Sequence, residues 1–279
     1  MDVRSAIKFM LISTLAFACM NGIVKYLTHI GAFQIVFFRA LGSLFFTFGF
    51  LLKNKISFLG NNRKLLVIRG LVGVTSMSFF FMATKYLPIG TAVSLRYMAP
   101  IFAAVFAVLL LKEYVQPIQW LFFAMAFAGV IVLKGFDADL NGYGLVLIFL
   151  SAIFSGLVYV VISKIGQGDH PVVIVNYFMI ISVLVGGVMS INNWVTPQGI
   201  EWFMLFGLGV FGYFGQVFMT KAFQVASTNQ VAPLKYLEVV FTVLLGVFIF
   251  AEIYTVWSLL GIATIITALI LNALFKGSK

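Results

Sequence analysis

An all-α integral membrane protein of ten transmembrane helices, arranged as two inverted five-helix repeats, is the fold this sequence predicts. Three observations carry the prediction. The 279 residues are 62% hydrophobic and only 9% charged, where a soluble chain of this length needs far more charge on its surface. The apolar residues gather into ten stretches of spanning length. The second half also repeats the first at a single ungapped offset of 139 positions.

The stretches run from about 18 to 25 residues and fall at roughly 5–28, 32–52, 65–86, 90–111, 117–135, 143–164, 171–191, 200–224, 229–251 and 254–275. The first is too long for a signal-peptide core and no small-residue cleavage site follows it, so it is read as a retained span. The second carries Arg39 at its middle, in the run FFRALGSL. The third follows the longest connection, KNKISFLGNNRK from Lys53 to Lys64, and holds Arg69 near one end, where a long side chain can snorkel to the interface. The fourth contains Arg96 and Tyr97, with Pro100 four residues on, so the carbonyl of Arg96 loses its helical donor beside the charge. The eighth is glycine-rich (Gly207, Gly212, Gly215), which favours close packing or bending. The ninth carries Lys235 and Glu238 on one face, and the fifth, sixth, seventh and tenth are apolar throughout most of their length. No connection is long enough for a soluble catalytic domain.

The formal charge of +10 punctuates the apolar stretches instead of forming a nucleic-acid patch. With the N-terminus inside, the inner side receives Arg4, Lys8, Lys53, Lys55, Arg63, Lys64, Arg69, Lys112, Lys164, Lys221, Lys276 and Lys279. The outer side receives Lys25, Lys85 and Lys134, the last offset by Asp137 and Asp139. A multi-pass protein of a bacterial-type inner (plasma) membrane with both termini cytoplasmic is therefore expected.

At the offset of 139, Lys25 falls on Lys164, Arg96-Tyr97 on Lys235-Tyr236, and Glu113 on Glu252. Charged and aromatic matches in one register are hard to obtain by chance. Five spans per half is an odd number, so residues 140–279 must insert upside down relative to residues 1–139. Inverted repeats are a transporter architecture, with the substrate near the midplane. Arg96 lies roughly 9 Å below the outer end of its span and Lys235 a similar depth above the inner end of its own, so the two cations bracket the centre.

These residues resemble the drug/metabolite transporter superfamily, in its ten-span EamA-type branch. The resemblance covers nearly the whole chain. It rests on the span count, the duplication, Lys25, the FFRALGSL run, and ATKYLPIGTAVSLRYMAPIFAAVFAVLLLKE from Ala83 to Glu113, which Ala222 to Glu252 repeats more loosely. Pro100 has no counterpart at Val239, and Pro233 sits six residues early in register, so the two halves should bend at different places. The resemblance implies a secondary transporter whose spans one to four and six to nine line a central cavity, with spans five and ten at the periphery.

Candidate cavity residues follow, each with a plainer alternative. Arg96 and Lys235 either contact a substrate anion or bind freed carbonyls and acidic neighbours. Arg39 shares the mid-span position, with a structural role the stronger reading. Glu238, the only carboxylate well inside a span, either carries a coupling proton or is the ionised partner of Lys235. Tyr97 and Tyr236 present hydroxyls to a cavity or to backbone. Asn21, Ser94, Tyr159, Asn176 and Gln216 line the cavity or join helices as polar glue. Glu113 and Glu252, at helix ends, are packing or gate residues.

The lone Cys19 and the two histidines, His29 and His170, form no metal set. No phosphate-binding loop for ATP occurs, and no nucleophile has an activating histidine, so no cofactor is expected and the chain is not read as an enzyme. Expected partners are the lipid bilayer, a small-molecule substrate, and either a coupling proton or a counter-substrate. Arg39, Arg96, Lys235 and Glu238 leave an excess of positive charge. That favours an anionic or zwitterionic substrate: an amino acid, a nucleotide-like cofactor such as S-adenosylmethionine, or a vitamin. The alternatives are an exporter of amino acids or toxic compounds and, from another class, a membrane-embedded lipid-modifying enzyme.

Overall fold

Among the described residues ten helices of 13 residues or more follow one another along the chain. They are α1 (Val3–Tyr26), α2 (Ala32–Lys53), α3 (Arg63–Ala83), α4 (Ala99–Leu111), α5 (Pro117–Lys134), α6 (Gly142–Ile165), α7 (Pro171–Ser190), α8 (Glu201–Val225), α9 (Leu237–Phe250) and α10 (Val256–Leu274). The computed structural model describes residues 2–27, 29–87, 92, 95–134, 141–250 and 256–275. Six of the helices, α1 to α3 and α6 to α8, are long and apolar enough to cross a membrane on their own.

Their ends are written into the sequence. The side chains of Asp2, Asn62 and Asn141 accept from the backbone N–H three residues on and start α1, α3 and α6. Pro171 opens α7 behind His170, whose ring accepts from the Val172 N–H. Lys112 closes α4 in a left-handed conformation (φ 55°), which swings the following Glu113 away from the helix axis.

Two expected spans are interrupted. α4 starts only at Ala99, so Pro100 falls in its first turn, where a missing N–H costs nothing, and Arg96-Tyr97 precede it. The expectation of a continuous fourth span is thus corrected, while Pro100 still has no N–H to offer the Arg96 carbonyl. The ninth stretch is a helical turn (Thr228–Val231), a 3₁₀ segment (Ala232–Tyr236) and then α9. Pro233 has no N–H for an α-helical ladder, which favours the break.

Packing follows the repeat. α1 lies along α8, and its counterpart α6 along α3; α4 rests on α6, and α9 on α1. α2 packs on α7, and α5 on α10, so these two contacts map onto themselves. Exchanging the halves reproduces these six contacts, as an inverted repeat requires. Small residues allow the close crossings: α2 and α8 meet at Gly42 and Gly209, where the Ser43 hydroxyl donates to the Gly209 carbonyl at 2.8 Å.

One end of the bundle holds Asp2, Lys53, Asn61, Glu113 and Asp169, and the other holds His29, Lys85, Asn141 and Val195. At the Lys53 end the halves are laced together. The Asp2 N–H donates to the Val225 carbonyl at 3.1 Å, the Asn61 and Asn62 N–H groups donate to Asp169, and the Tyr177 hydroxyl donates to the Leu59 carbonyl. At the His29 end, Gln34 exchanges hydrogen bonds with the backbone of Val195, and His29 Nε2 lies 2.8 Å from Glu201.

Candidate functional site

Between the halves lies a cavity of about 870 Å³. Its described walls come from α1 to α4 and α6 to α9 with the segments leading into α4 and α9. Among the described residues α5 and α10 contribute none, as the family resemblance implied. The cavity runs from Arg69 and Met219, its deepest residues toward the Lys53 end, up to a rim of His29, Lys85 and Asn193 at the His29 end. A separate hollow among Leu41, Phe45, Phe48 and Leu52 is a shallow apolar surface feature remote from these charges.

The interior is cationic. Arg69, on α3, is only 1% exposed, and its guanidinium sits over the Phe178 ring of α7 at 4.1 Å. Arg69 Nη2 donates to Gln216 Oε1 of α8 at 2.8 Å, while Nε and Nη1 have no hydrogen-bond partner among the described residues. Arg39, from α2, reaches the same ring at 5.8 Å, and its Nε and Nη2 are likewise buried and unpartnered. Glycines make room for both stems: a Cβ at Gly73 would sit 3.0 Å from Arg69 Nη1, and one at Gly212 would sit 3.1 Å from Arg39 Cγ. Arg96 faces the cavity over Phe80 at 4.8 Å.

Lys235 is differently provided for. The break before α9 brings it and Glu238 together one turn apart, and its ammonium pairs with Glu238 Oε2. Glu238 Oε1 accepts from Asn21 Nδ2 of α1 at 2.9 Å, and the Lys235 ammonium lies 3.9 Å from the Phe17 ring. Both carboxylate oxygens are therefore engaged, and Glu238 occupies the first turn of α9, where the helix dipole favours an anion. Among the described residues, Arg39, Arg69, Arg96 and Lys235 face one carboxylate in the interior, a formal excess of three positive charges.

The remaining expected site residues separate. Asn21, Tyr159, Gln216 and Tyr97 reach the cavity, with Tyr159 stacked on Phe223 at 4.7 Å. Tyr236 does not: it is fully buried beside Ala126, Val130 and Ile265, with its ring 6.1 Å from that of Tyr97. Asn176 is also buried away from the cavity, accepting from the Thr47 hydroxyl at 2.8 Å and joining α2 to α7, the glue alternative. Glu113 accepts from the backbone N–H groups of Thr228 (2.9 Å) and Asn229 (3.1 Å), capping the turn that leads to Lys235 from the opposite half. Ser94 and Glu252 lie outside the described residues.

Arg69 is the residue that sequence reasoning missed. It was expected to snorkel to the interface, but α3 begins at Arg63, so Arg69 lies nearly two turns inside and its phase turns it onto the cavity. The available signal was Gly70 and Gly73 beside it, which let α3 approach α7 closely enough to enclose the charge.

Comparison with known proteins agrees with this architecture. A solved crystal structure superposes with a TM-score of 0.84, covering 97% of this chain and 96% of the other at 20% identity, which shows a shared fold. The pseudopaline exporter CntI of Pseudomonas aeruginosa is 28% identical over 274 residues, 96% of this chain and 95% of that one. The S-adenosylmethionine uptake transporter of Rickettsia prowazekii is 29% identical over 231 residues, 82% of this chain and 78% of its own. Human solute carrier family 35 member G1 is 25% identical over 278 residues, 93% of this chain and 76% of its own. The EamA-like transporter family matches twice, over residues 4–134 and 142–274, once for each five-helix half, and the chain belongs to that family.

Proposed function

We propose that this secondary transporter moves a small organic metabolite bearing a carboxylate or phosphate, zwitterions included, through the central cavity by alternating access of its two halves. The observation that carries the reading is the charge of the cavity interior, four cations against one carboxylate in a site otherwise lined by neutral, mostly apolar residues. Cations in such surroundings are costly without a counter-charge, and a solute anion supplies one. The named relatives, which carry pseudopaline and S-adenosylmethionine, support a small organic cargo; one is an exporter and the other an uptake carrier, so flux measurement decides direction. The family and its relatives are transporters, not enzymes.

In this reading residues 1–139 and 140–279 are the two moving repeats, with the His29 end outside and both termini in the cytoplasm of a bacterial-type inner membrane. The cavity is then caught open to the outside. Coupling falls to a proton or to a counter-substrate, and Glu238 is the carboxylate placed to respond to either.

The test is flux into proteoliposomes, without ATP, of labelled amino acids, S-adenosylmethionine, nucleotides and an organic cation such as choline. Accumulation of an anionic or zwitterionic compound that falls at least tenfold in Arg96→Ala supports the proposal. Transport of choline alone, unchanged in that variant, refutes it.

A further inference from the structure

Arg39 and Arg69 have a feature that Lys235 and its surroundings lack: unused donors. Four N–H-bearing nitrogens, Nε and Nη2 of Arg39 and Nε and Nη1 of Arg69, are buried with no partner among the described residues, and both guanidinium groups lie over one ring, Phe178. Buried polar groups are nearly always satisfied, and leaving one unpaired costs on the order of 1–3 kcal/mol. Two like charges on the same ring add repulsion. The fold nevertheless keeps the pair there: Gln216 takes one N–H of Arg69, and Gly73 and Gly212 leave room beside the Arg69 guanidinium and the Arg39 stem.

We infer that Arg39 and Arg69 form a two-guanidinium subsite at the deep end of the cavity for an oxyanion of the substrate, carboxylate or phosphate, with Phe178 as its floor. Nε and Nη2 of Arg39 share one edge of its guanidinium and form a fork for a carboxylate or phosphate, while Arg69, whose Nε and Nη1 lie on different edges, adds a single further hydrogen bond. Lys235 is then no anion ligand, because Glu238 already neutralises it and Asn21 occupies the other carboxylate oxygen. This assignment rests on the transport reading for its biological meaning, but it is a statement about binding and is tested without flux.

The experiment is thermal unfolding of the purified protein in detergent and a buffer free of oxyanions. Inorganic phosphate, glutamate, S-adenosylmethionine and choline are the probes, each at constant ionic strength. At least one oxyanion should raise the melting temperature by about 2–4 °C while choline does not. Phosphate active alone marks a phosphate site, and an organic carboxylate active alone marks a carboxylate site. Arg39→Met and Arg69→Met should abolish the shift, Lys235→Met should retain it, and both arginine variants should melt above wild type in the absence of probe, because each removes an uncompensated buried charge. A shift that survives in the arginine variants, variants that melt below wild type, or no shift with any oxyanion overturns the subsite. A retained shift with no flux in proteoliposomes would overturn the transport reading and leave the subsite standing.

Discussion

A single methyl group at the α2–α8 crossing tests the packing most directly. A Cβ added at Gly209 would lie 2.6 Å from Gly42 Cα and 2.8 Å from its carbonyl carbon, both backbone atoms that cannot rotate away. Carbon atoms pack at roughly 3.5–4.0 Å, so Gly209→Ala must push the two helices apart by on the order of 1 Å. Overpacking of this kind costs about 1–3 kcal/mol, and the separation also stretches the Ser43–Gly209 bond, a contact worth about 0.6 kcal/mol in membrane proteins. Against this stands the gain of about 1 kcal/mol from replacing glycine by alanine within a helix. The net loss is about 0.6–2.6 kcal/mol, or roughly 1–10 °C in melting temperature. Gly49, on the same helix α2, has nothing within 4 Å of its added Cβ, so Gly49→Ala collects the helical gain alone and should melt about 2–4 °C higher. Tryptophan fluorescence during heating in detergent reads both. If Gly209→Ala melts at or above wild type, the crossing is not the close backbone contact described here.

Three further perturbations have definite signs. Glu238→Gln leaves the Lys235 ammonium without its ion pair in a largely buried site and should cost about 1–3 kcal/mol. The double change with Lys235→Met should recover most of it, and equal melting of the single and double variants would contradict the pairing. Glu113→Ala removes the cap on Thr228 and Asn229, a loss of about 0.5–2 kcal/mol at the Lys53 end. Ser163 of α6 accepts from the Thr228 hydroxyl at 2.8 Å beneath that cap, so in a C19S background the change should increase maleimide labelling of S163C, and unchanged labelling would show that Glu113 does not hold that end shut. Burial, with a smaller contribution from Lys221, pushes the His170 pKa below its ordinary 6.5, so the unfolded chain takes up a proton more readily than the folded one. Stability should therefore fall as pH drops below about 6.5, and His170→Asn should flatten that part of the melting profile.

Much of this was legible in the sequence, for identifiable reasons. Apolar length marks helices in a bilayer almost without competition from tertiary effects, so each of the ten stretches holds one of the ten helices described, the fourth and ninth only over their later parts. The register of 139 gave the inverted pairing, because charged matches such as Arg96 on Lys235 survive where apolar matches are uninformative. What the sequence could not give was rotation about each helix axis. Arg69 and Asn176 sit at similar depths, yet one turns to the cavity and the other to the α2–α7 contact, and only packing decides which. Tyr97 and Tyr236 occupy one register position, but the halves break around Pro100 and Pro233 at different places. The equivalent rings therefore end in different surroundings.

The lacing at the Lys53 end also has a kinetic meaning. To expose the cavity on that side, the protein must break the Glu113 cap, the Asn61 and Asn62 bonds to Asp169, the Asp2–Val225 contact and the Tyr177–Leu59 contact together. Without cargo, nothing offsets that loss except what forms at the opposite rim. The empty protein should therefore turn over slowly and rest with its His29 end open. Solute on the far side would then accelerate flux, and exchange would outrun net movement. A carrier built this way would be a poor leak and a good exchanger, for a reason that lies in hydrogen bonds about half a membrane away from the solute.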